Sequence, residues 1–319
     1  MAYTTIDDPE LYFQAKLYSG TGSDQSITLD GTSNLQPDLI WVKRRDGTGT
    51  HGNVDSVRGA NKWLASEGNA AQDTSTENIT FGSDGFTWNG GNYDRNSSGE
   101  TYVAWCWKMG TTSGITTTGS NITPAGYSFN QTAGQSIIKW AGTGSDHLLP
   151  HGLGKAPDLA LIKAYDGTTY WMCYSSALGN DKEFYLNTTG AAGSSTTWNT
   201  TDPTTVNISL DSAGGNGVNA SSTNYIGYFF TSIQGYSKIG KYTGNGNNDG
   251  PFVYTGFRPA YLLLKATSIT QGWFVVDNKR PGSYNPIDGS LHPNSDAAED
   301  TSSDFYVDFT ANGFKLRAD

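Results

Sequence analysis

The sequence predicts an all-β fold of three tandem antiparallel β-sandwich modules, the third lacking its closing strand. Three observations predict it. First, 40 of the 319 residues are Gly, with dense Ser, Thr and Asn, while nine Trp, 18 Tyr and 13 Phe supply core material. Gly costs about 1 kcal/mol per helical position, and small polar side chains compete for backbone hydrogen bonds, so helices are disfavoured. Second, one phrase comes round three times: an aromatic before a glycine pair, then Pro, then an apolar run ending in Lys. Third, several runs are apolar at every position rather than at alternate ones, the pattern of strands buried on both faces.

The copies of the phrase are Tyr18-Ser-Gly-Thr-Gly22 with Pro37-Asp-Leu-Ile-Trp-Val-Lys43, Trp140-Ala-Gly-Thr-Gly144 with Pro157-Asp-Leu-Ala-Leu-Ile-Lys163, and Tyr242-Thr-Gly-Asn-Gly246 with Pro259-Ala-Tyr-Leu-Leu-Leu-Lys265. Their prolines lie 120 and 102 residues apart. That is beyond the roughly 20–50 residues of solenoid or propeller units, so each copy is a small domain, an arrangement common in tandem binding modules.

Taken in order, residues 1–16 form a lead-in arm without a counterpart in the other repeats. Repeat 1 covers 17–109, and the Gly/Thr-rich stretch 110–120 reads as a joint that leaves repeats 1 and 2 some freedom. Repeat 2 covers 121–232, and a short connection places repeat 3, 233–319, directly against it. Within the recurring run, Leu39, Trp41 and Lys43 point one way and Ile40 and Val42 the other, because strand side chains alternate. Both faces are apolar, which places this strand in the middle of a sandwich. Tyr102-Val-Ala-Trp-Cys-Trp107 and Tyr225-Ile-Gly-Tyr-Phe-Phe230 read as closing strands. They begin 59 and 62 residues after the Lys of the central run, a position that repeat 3 does not reach before Asp319. Asn312-Gly-Phe-Lys315 matches Asp84-Gly-Phe-Thr87, short of closure. An open sandwich edge invites a partner. A neighbouring subunit, or Tyr3-Thr-Thr-Ile6 or Leu11-Tyr-Phe13 of the lead-in, is expected to add the missing strand; the alternative is a truncated chain.

Net charge is −10 with only 16% charged residues, which argues against nucleic acid because phosphates need a basic stripe. The N-terminus has no signal-peptide pattern and no run approaches a membrane span, so a soluble product of a cytoplasm, without membrane insertion, is expected. Cys106 and Cys173, in different repeats and flanked by aromatics, read as buried thiols.

Catalytic patterns are weak. Gly235-Tyr-Ser237-Lys-Ile239 lacks the closing glycine of a nucleophile elbow. His51, His147, His151 and His292 are scattered and read as loop residues. Asn247 and Asp249, in an Asn/Asp/Gly cluster, are weak candidates for a hard cation, and a tight turn is the better reading. Asp55 with Arg58, and Asp277 with Arg280, form an acid–base couple that repeat 2 lacks at Ser175 and Leu178. A couple missing from one copy suits a structural ion pair rather than catalysis. No cofactor and no metal are called for. Trp88, Tyr93 and Trp198, set beside small polar groups, are the candidates for stacking on a sugar; a core role is the better reading for Trp88, and for Trp198 the two readings stand level.

Together, Tyr18-Ser-Gly-Thr-Gly22, Pro37-Asp-Leu-Ile-Trp-Val-Lys43, Asp55-Ser-Val-Arg-Gly59, Tyr102-Val-Ala-Trp-Cys-Trp-Lys108 and Gly250-Pro-Phe-Val-Tyr-Thr-Gly-Phe-Arg-Pro259 resemble the repeat proteins of tailed bacteriophage virions, especially marine ones. The resemblance spans nearly the whole chain. It implies a jelly-roll or concanavalin-like sandwich per repeat and a place on the virion exterior, the protein being made in the host bacterial cytoplasm. It brings no catalytic residues. The function expected on this basis is a non-enzymatic, homo-oligomeric tail fibre or appendage that contacts other virion proteins and host surface glycans, with weak contacts multiplied by repetition. A head decoration protein and a polysaccharide depolymerase are the alternatives.

Overall fold

The computed structural model describes residues 3–74, 77–89, 94–212, 217–280, 285–302 and 305–317. The chain is all-β, its helical content among these residues being a 3-10 turn at Pro9–Leu11. No helix among them is long and apolar enough to cross a membrane.

The first repeat contributes β1 (Phe13–Ser19), β2 (Gln25–Ile27), β3 (Leu39–Arg44), β4 (Gly52–Asp55), β5 (Ile79–Gly82), β6 (Gly85–Trp88) and β7 (Thr101–Trp107). They form two antiparallel sheets, β1-β7-β3-β4 and β2-β6-β5, so the closing strand β7 lies between the first strand and the Pro-led strand. Phe13–Lys16, expected in the lead-in, are the first half of β1, held there by pairing Phe13 with Trp107 and Lys16 with Ala104.

The second repeat repeats the plan with β8 (Gly126–Asn130), β9 (Gln135–Ala141), β10 (His147–Pro150), β11 (Leu159–Ala164), β12 (Met172–Ser175), β13 (Lys182–Tyr185), β14 (Gly193–Ser194), β15 (Asn207–Leu210) and β16 (Asn224–Phe230). Its sheets are β14-β13-β12-β11-β16-β9-β8 and β10-β15, and β16 lies between β9 and β11 as β7 lies between β1 and β3. The third contributes β17 (Phe252–Tyr254), β18 (Tyr261–Lys265), β19 (Trp273–Asp277), β20 (Val307–Thr310) and β21 (Gly313–Leu316). Its sheets are β17-β21-β20 and β18-β19. β18 corresponds to β3 and β11, yet among the described residues it pairs with β19 alone. The turns before β6 and β21 both need Gly, because a Cβ at Gly85 would strike the Ile27 carbonyl and one at Gly313 the Val253 carbonyl.

Strand alternation sends each central strand into two cores. Ile40 and Val42 pack with Phe86 and Trp88 inside the first sandwich, Ala160 and Ile162 with Ile208 and Trp198 inside the second, and Leu262 and Leu264 with Phe309 and Phe314 inside the third. The opposite faces, with Leu39, Trp41, Leu159, Leu161, Tyr261 and Leu263, meet in one cluster shared by all three repeats. The closing strands divide likewise: Val103, Trp105, Trp107, Ile226, Tyr228 and Phe230 enter the shared cluster, while Tyr102, Cys106, Tyr225 and Phe229 stay at home. The second apolar face therefore belongs to neighbouring repeats as well as to a strand's own sandwich. Repeats 1 and 2 are not loosely jointed. Thr111 bridges to Phe129 and Gln135 Nε2 donates to the Lys108 carbonyl at 2.7 Å, which ties the start of the 110–120 stretch into repeat 2.

Candidate functional site

The two acid–base couples are joints between repeats. Asp55 Oδ1 accepts the amides of Val57 and Arg58 at 3.0 and 2.7 Å, which closes the turn after β4. Its Oδ2 takes Arg58 Nε at 2.6 Å and the Tyr228 hydroxyl, from the closing strand of repeat 2, at 2.8 Å. Asp277 repeats the arrangement. Its Oδ1 accepts the amides of Lys279 and Arg280 at 2.9 and 3.0 Å, and its Oδ2 takes Arg280 Nε at 2.7 Å and Trp105 Nε1, from the closing strand of repeat 1, at 2.9 Å. Trp105 and Tyr228 hold the same place in their strands. Burial opposes the Asp277 charge, but the Arg280 guanidinium and the hydrogen bonds from Arg280 and Trp105 outweigh it and hold the carboxyl below its ordinary range. Both couples are sealed from solvent, Asp55 and Asp277 being 0% exposed, so neither is placed to act on a substrate.

The joints run in a cycle. The closing strand of repeat 2 docks on the couple of repeat 1, and that of repeat 1 docks on the couple of repeat 3. The remaining place, on repeat 2, holds Ser175 and Leu178, and the strand that would dock there is a closing strand of repeat 3, which is not among the described residues.

A second device receives the chain after each closing strand. Asp38 Oδ2 accepts the Met109 amide at 2.9 Å, and Asp158 Oδ2 accepts the Ser232 amide at 2.8 Å, each two residues past the end of the strand. Repeat 3 has Ala260 at this position. The sequence contained this signal in the Asp-to-Ala change of the third Pro-led run, but its meaning depends on where Met109 and Ser232 fall in space.

Trp88 and Trp198, the tryptophans considered for sugar stacking, are interior. Trp88 is 0% exposed and stacks on Trp63 with ring centroids 5.6 Å apart; Trp198 is 0% exposed, meets Tyr174 edge-on and donates its indole N–H to the Lys182 carbonyl at 2.9 Å. Neither ring reaches solvent, so no ring face is open to a ligand. Tyr93 lies outside the described residues. The Asn247 side chain accepts the Asp249 amide at 2.8 Å while Asp249 pairs with Lys315 at 2.6 Å, so this cluster is a turn whose oxygens are already engaged.

The cysteines are buried and free, and burial pushes both thiols up. Two of the histidines expected in loops are core residues. His51 accepts the Trp41 indole N–H at 2.8 Å, and His151, whose Nδ1 accepts the Leu153 amide at 3.2 Å, is pushed down to about 4 by burial. The recurring lysines Lys43 and Lys163 are also interior. Each donates to the carbonyl of the next residue, at 2.7 and 2.6 Å, and burial lowers each to about 8.

The open feature is a cleft of about 1720 Å³ at the unpaired side of β18. One wall is β18 itself, the other is residues 237–246, and Phe13, Trp107 and Phe230 of the shared cluster form the floor. Residues 237–243 correspond to β1 and β9. Tyr242 meets Phe314 edge-on at 6.3 Å, as Tyr18 meets Phe86 at 6.3 Å, so its ring holds the first-strand position although its segment pairs with no strand among the described residues. All five residues of β18 are partly exposed, whereas all five counterparts in β3 are buried. The lead-in does not fill the cleft. Tyr3 donates its hydroxyl to the Gly256 carbonyl at 2.7 Å and Ile6 is buried, but no strand forms over residues 3–6.

Residues 8–319 match a family model described as a domain of unknown function, DUF7483. No curated protein and no solved structure matches the chain. Because the family model spans the repeats, their joints and the cleft alike, the chain belongs to the DUF7483 family.

Proposed function

We propose that this chain is a non-enzymatic structural protein of a bacteriophage virion surface, a tail fibre or tail appendage that takes part in host attachment. The repeat phrases that resemble virion proteins of tailed phages support the virion assignment. One observation carries the structural reading: the ionisable groups that recur among the repeats are sealed into joints, as Asp55–Arg58 and Asp277–Arg280 are, while the main opening is an apolar cleft at a strand edge. Such a cleft suits association with protein. Other copies of the chain and other virion proteins are the partners proposed, and contact with host glycans falls to exposed loops, since Trp88 and Trp198 are interior.

A head decoration protein is the second reading. It is favoured by the absence, among the described residues, of any helix longer than the turn at Pro9–Leu11, since a fibre shaft is commonly helical. Antibody labelling of phage particles followed by electron microscopy tests both, with tail or head label choosing between them and unlabelled particles refuting the virion assignment. Incubation with host envelope polysaccharide tests the non-enzymatic part, which shortening of the polysaccharide chains would refute.

A further inference from the structure

We propose that the outer face of β17, together with Tyr3, is a platform that stacks on the sugar rings of a neutral polysaccharide. Alternation along β17 turns Val253 toward the third core and leaves Phe252 and Tyr254 on the outer face, 48% and 61% exposed. Tyr3 of the lead-in, 54% exposed, joins them: its hydroxyl donates to the Gly256 carbonyl at 2.7 Å, and the Tyr3 and Tyr254 side chains are hydrogen-bonded to each other. Two glycines let these rings lie against the backbone. A Cβ at Gly313 would fall 2.8 Å from Cζ of Phe252, and one at Gly256 would fall 2.5 Å from the Tyr3 hydroxyl, so a side chain at either place would lift a ring off the sheet.

The other repeats do not build this surface. With Phe86 aligned to Phe314, Ser26 and Thr28 of repeat 1 stand where repeat 3 has Phe252 and Tyr254, and Ser26 shares a 3.0 Å hydrogen bond with Thr87, the counterpart of Lys315. Ser26 and Thr28 are exposed although repeat 1 has its closing strand, so the chain that leaves this sheet for the closing strand does not cover its outer face. In repeat 2 the same face is covered, because Asn207 donates to the Thr118 carbonyl at 3.0 Å and accepts the Ser120 hydroxyl at 2.6 Å. Around the rings of repeat 3 the charges pair off, Lys315 with Asp249 at 2.6 Å and Arg317 with Asp308 at 2.5 Å. The rim therefore has no net sign with which to draw an anion or a cation, and its paired groups can still exchange hydrogen bonds with hydroxyls. Sugar C–H groups suit the electron-rich faces of the rings, and residues two apart on a strand face stand roughly 6.6 Å apart, so neighbouring rings can meet an extended glycan chain. Three rings about half exposed offer roughly 250–400 Å², short of the roughly 800 Å² that a stable protein partner covers. The inference deepens the glycan contact of the proposed function, on which it rests, and adds a sheet face to the exposed loops named there.

The test uses the full chain in native gels cast with dextran, laminarin or galactomannan, and with alginate as the charged control. Retardation by at least one of the three neutral polysaccharides is expected. Phe252→Ser with Tyr254→Thr, which copies repeat 1, is expected to weaken that binding at least about tenfold while the thermal midpoint stays in place, and Phe252→Tyr, which keeps the ring, is expected to retain it. Tyr254→Thr alone, at the most exposed of the three rings, carries the same expectation with a smaller loss. Retardation unchanged in the double variant would overturn the platform and leave glycan contact by loops standing. No retardation by any neutral polysaccharide, or retardation by alginate alone, would overturn the platform too, and the virion assignment is read separately by the particle labelling. Dimers of the parent chain that the double variant abolishes would give the rings to a protein interface and overturn the proposal as well.

Discussion

Arg58→Leu places in repeat 1 the residue that repeat 2 carries at Leu178, and the joint around Asp55 sets the size of its effect. The Asp55 and Arg58 side chains are 0% and 1% exposed, so removing the guanidinium strands a carboxylate in the interior with the Tyr228 hydroxyl and two amides. Breaking one side of a buried pair in this way costs about 3–5 kcal/mol. Adding Asp55→Ser removes the stranded charge, and adding Tyr228→Phe removes the hydroxyl that would then lack its acceptor. The triple variant is therefore expected to recover to within about 2 kcal/mol of the parent, because apolar replacement of a complete buried pair is often near neutral. Urea unfolding followed by tryptophan fluorescence measures the four free energies. A triple variant as unstable as Arg58→Leu alone would refute the joint as the source of the effect, and a harmless Arg58→Leu would show that the pair bears no load between repeats.

Further outcomes follow from the same contacts. Asp158→Ala, which copies Ala260, is expected to cost about 1–3 kcal/mol and to speed amide exchange at Thr231 and Ser232, checked by urea unfolding and exchange mass spectrometry. Trp198→Ala is expected to destabilise by about 3–5 kcal/mol as a core deletion, a loss visible in thermal unfolding whether or not any glycan is present. His151, lowered in the folded state to about 4, takes up a proton more readily when unfolded, so its contribution is present near neutrality and is lost as pH falls from 6.5 toward 4. The loss amounts to about 3 kcal/mol, and a His151→Asn variant is expected to show a flatter midpoint over that range. Lys43 and Lys163, lowered to about 8, release protons earlier in the folded than in the unfolded state, so stability rises as pH goes from 8 toward 10. The rise is about 1–2 kcal/mol per lysine by pH 9.5, and Lys163→Met removes its half in a pH series of thermal midpoints.

Much of this architecture was legible because its signals are local. Alternation within Pro37–Lys43 assigns Trp41 and Ile40 to opposite faces, and the runs at Tyr102–Trp107 and Tyr225–Phe230, apolar at every position, mark the strands that become β7 and β16. What was not legible is which surface each face meets. An apolar face reports burial and carries no address, so Leu39 and Leu159 could not be seen to share a core with Tyr261. Trp198 could not be settled for a related reason: it lies in a turn among Ser, Thr and Asn, while its covering, Tyr174, comes from β12. Asp55 was readable as a turn-closing ion pair, and its Oδ1 does that. The bond from its other oxygen to Tyr228 crosses between repeats and leaves no mark near either residue in the chain.

The differences at Ser175, Leu178 and Ala260 sit on two different repeats, and no local feature of either repeat accounts for them together. They have one thing in common, which is contact with the place where a closing strand of repeat 3 would lie. An Asp–Arg couple facing an empty or apolar slot would keep its desolvation cost without its crossing hydrogen bond, so neutral side chains are the cheaper occupants. If the slot were simply abandoned to water, the same reasoning would put polar residues on its walls, as natural sheet edges do. The walls carry both kinds of residue: Tyr261, Leu263 and the ring of Tyr242 over a floor of Trp107 and Phe230, with Lys238 and Lys241 beside Tyr242. Charge is gone from the joint positions but kept at Lys238 and Lys241 on the facing wall, as natural sheet edges keep it.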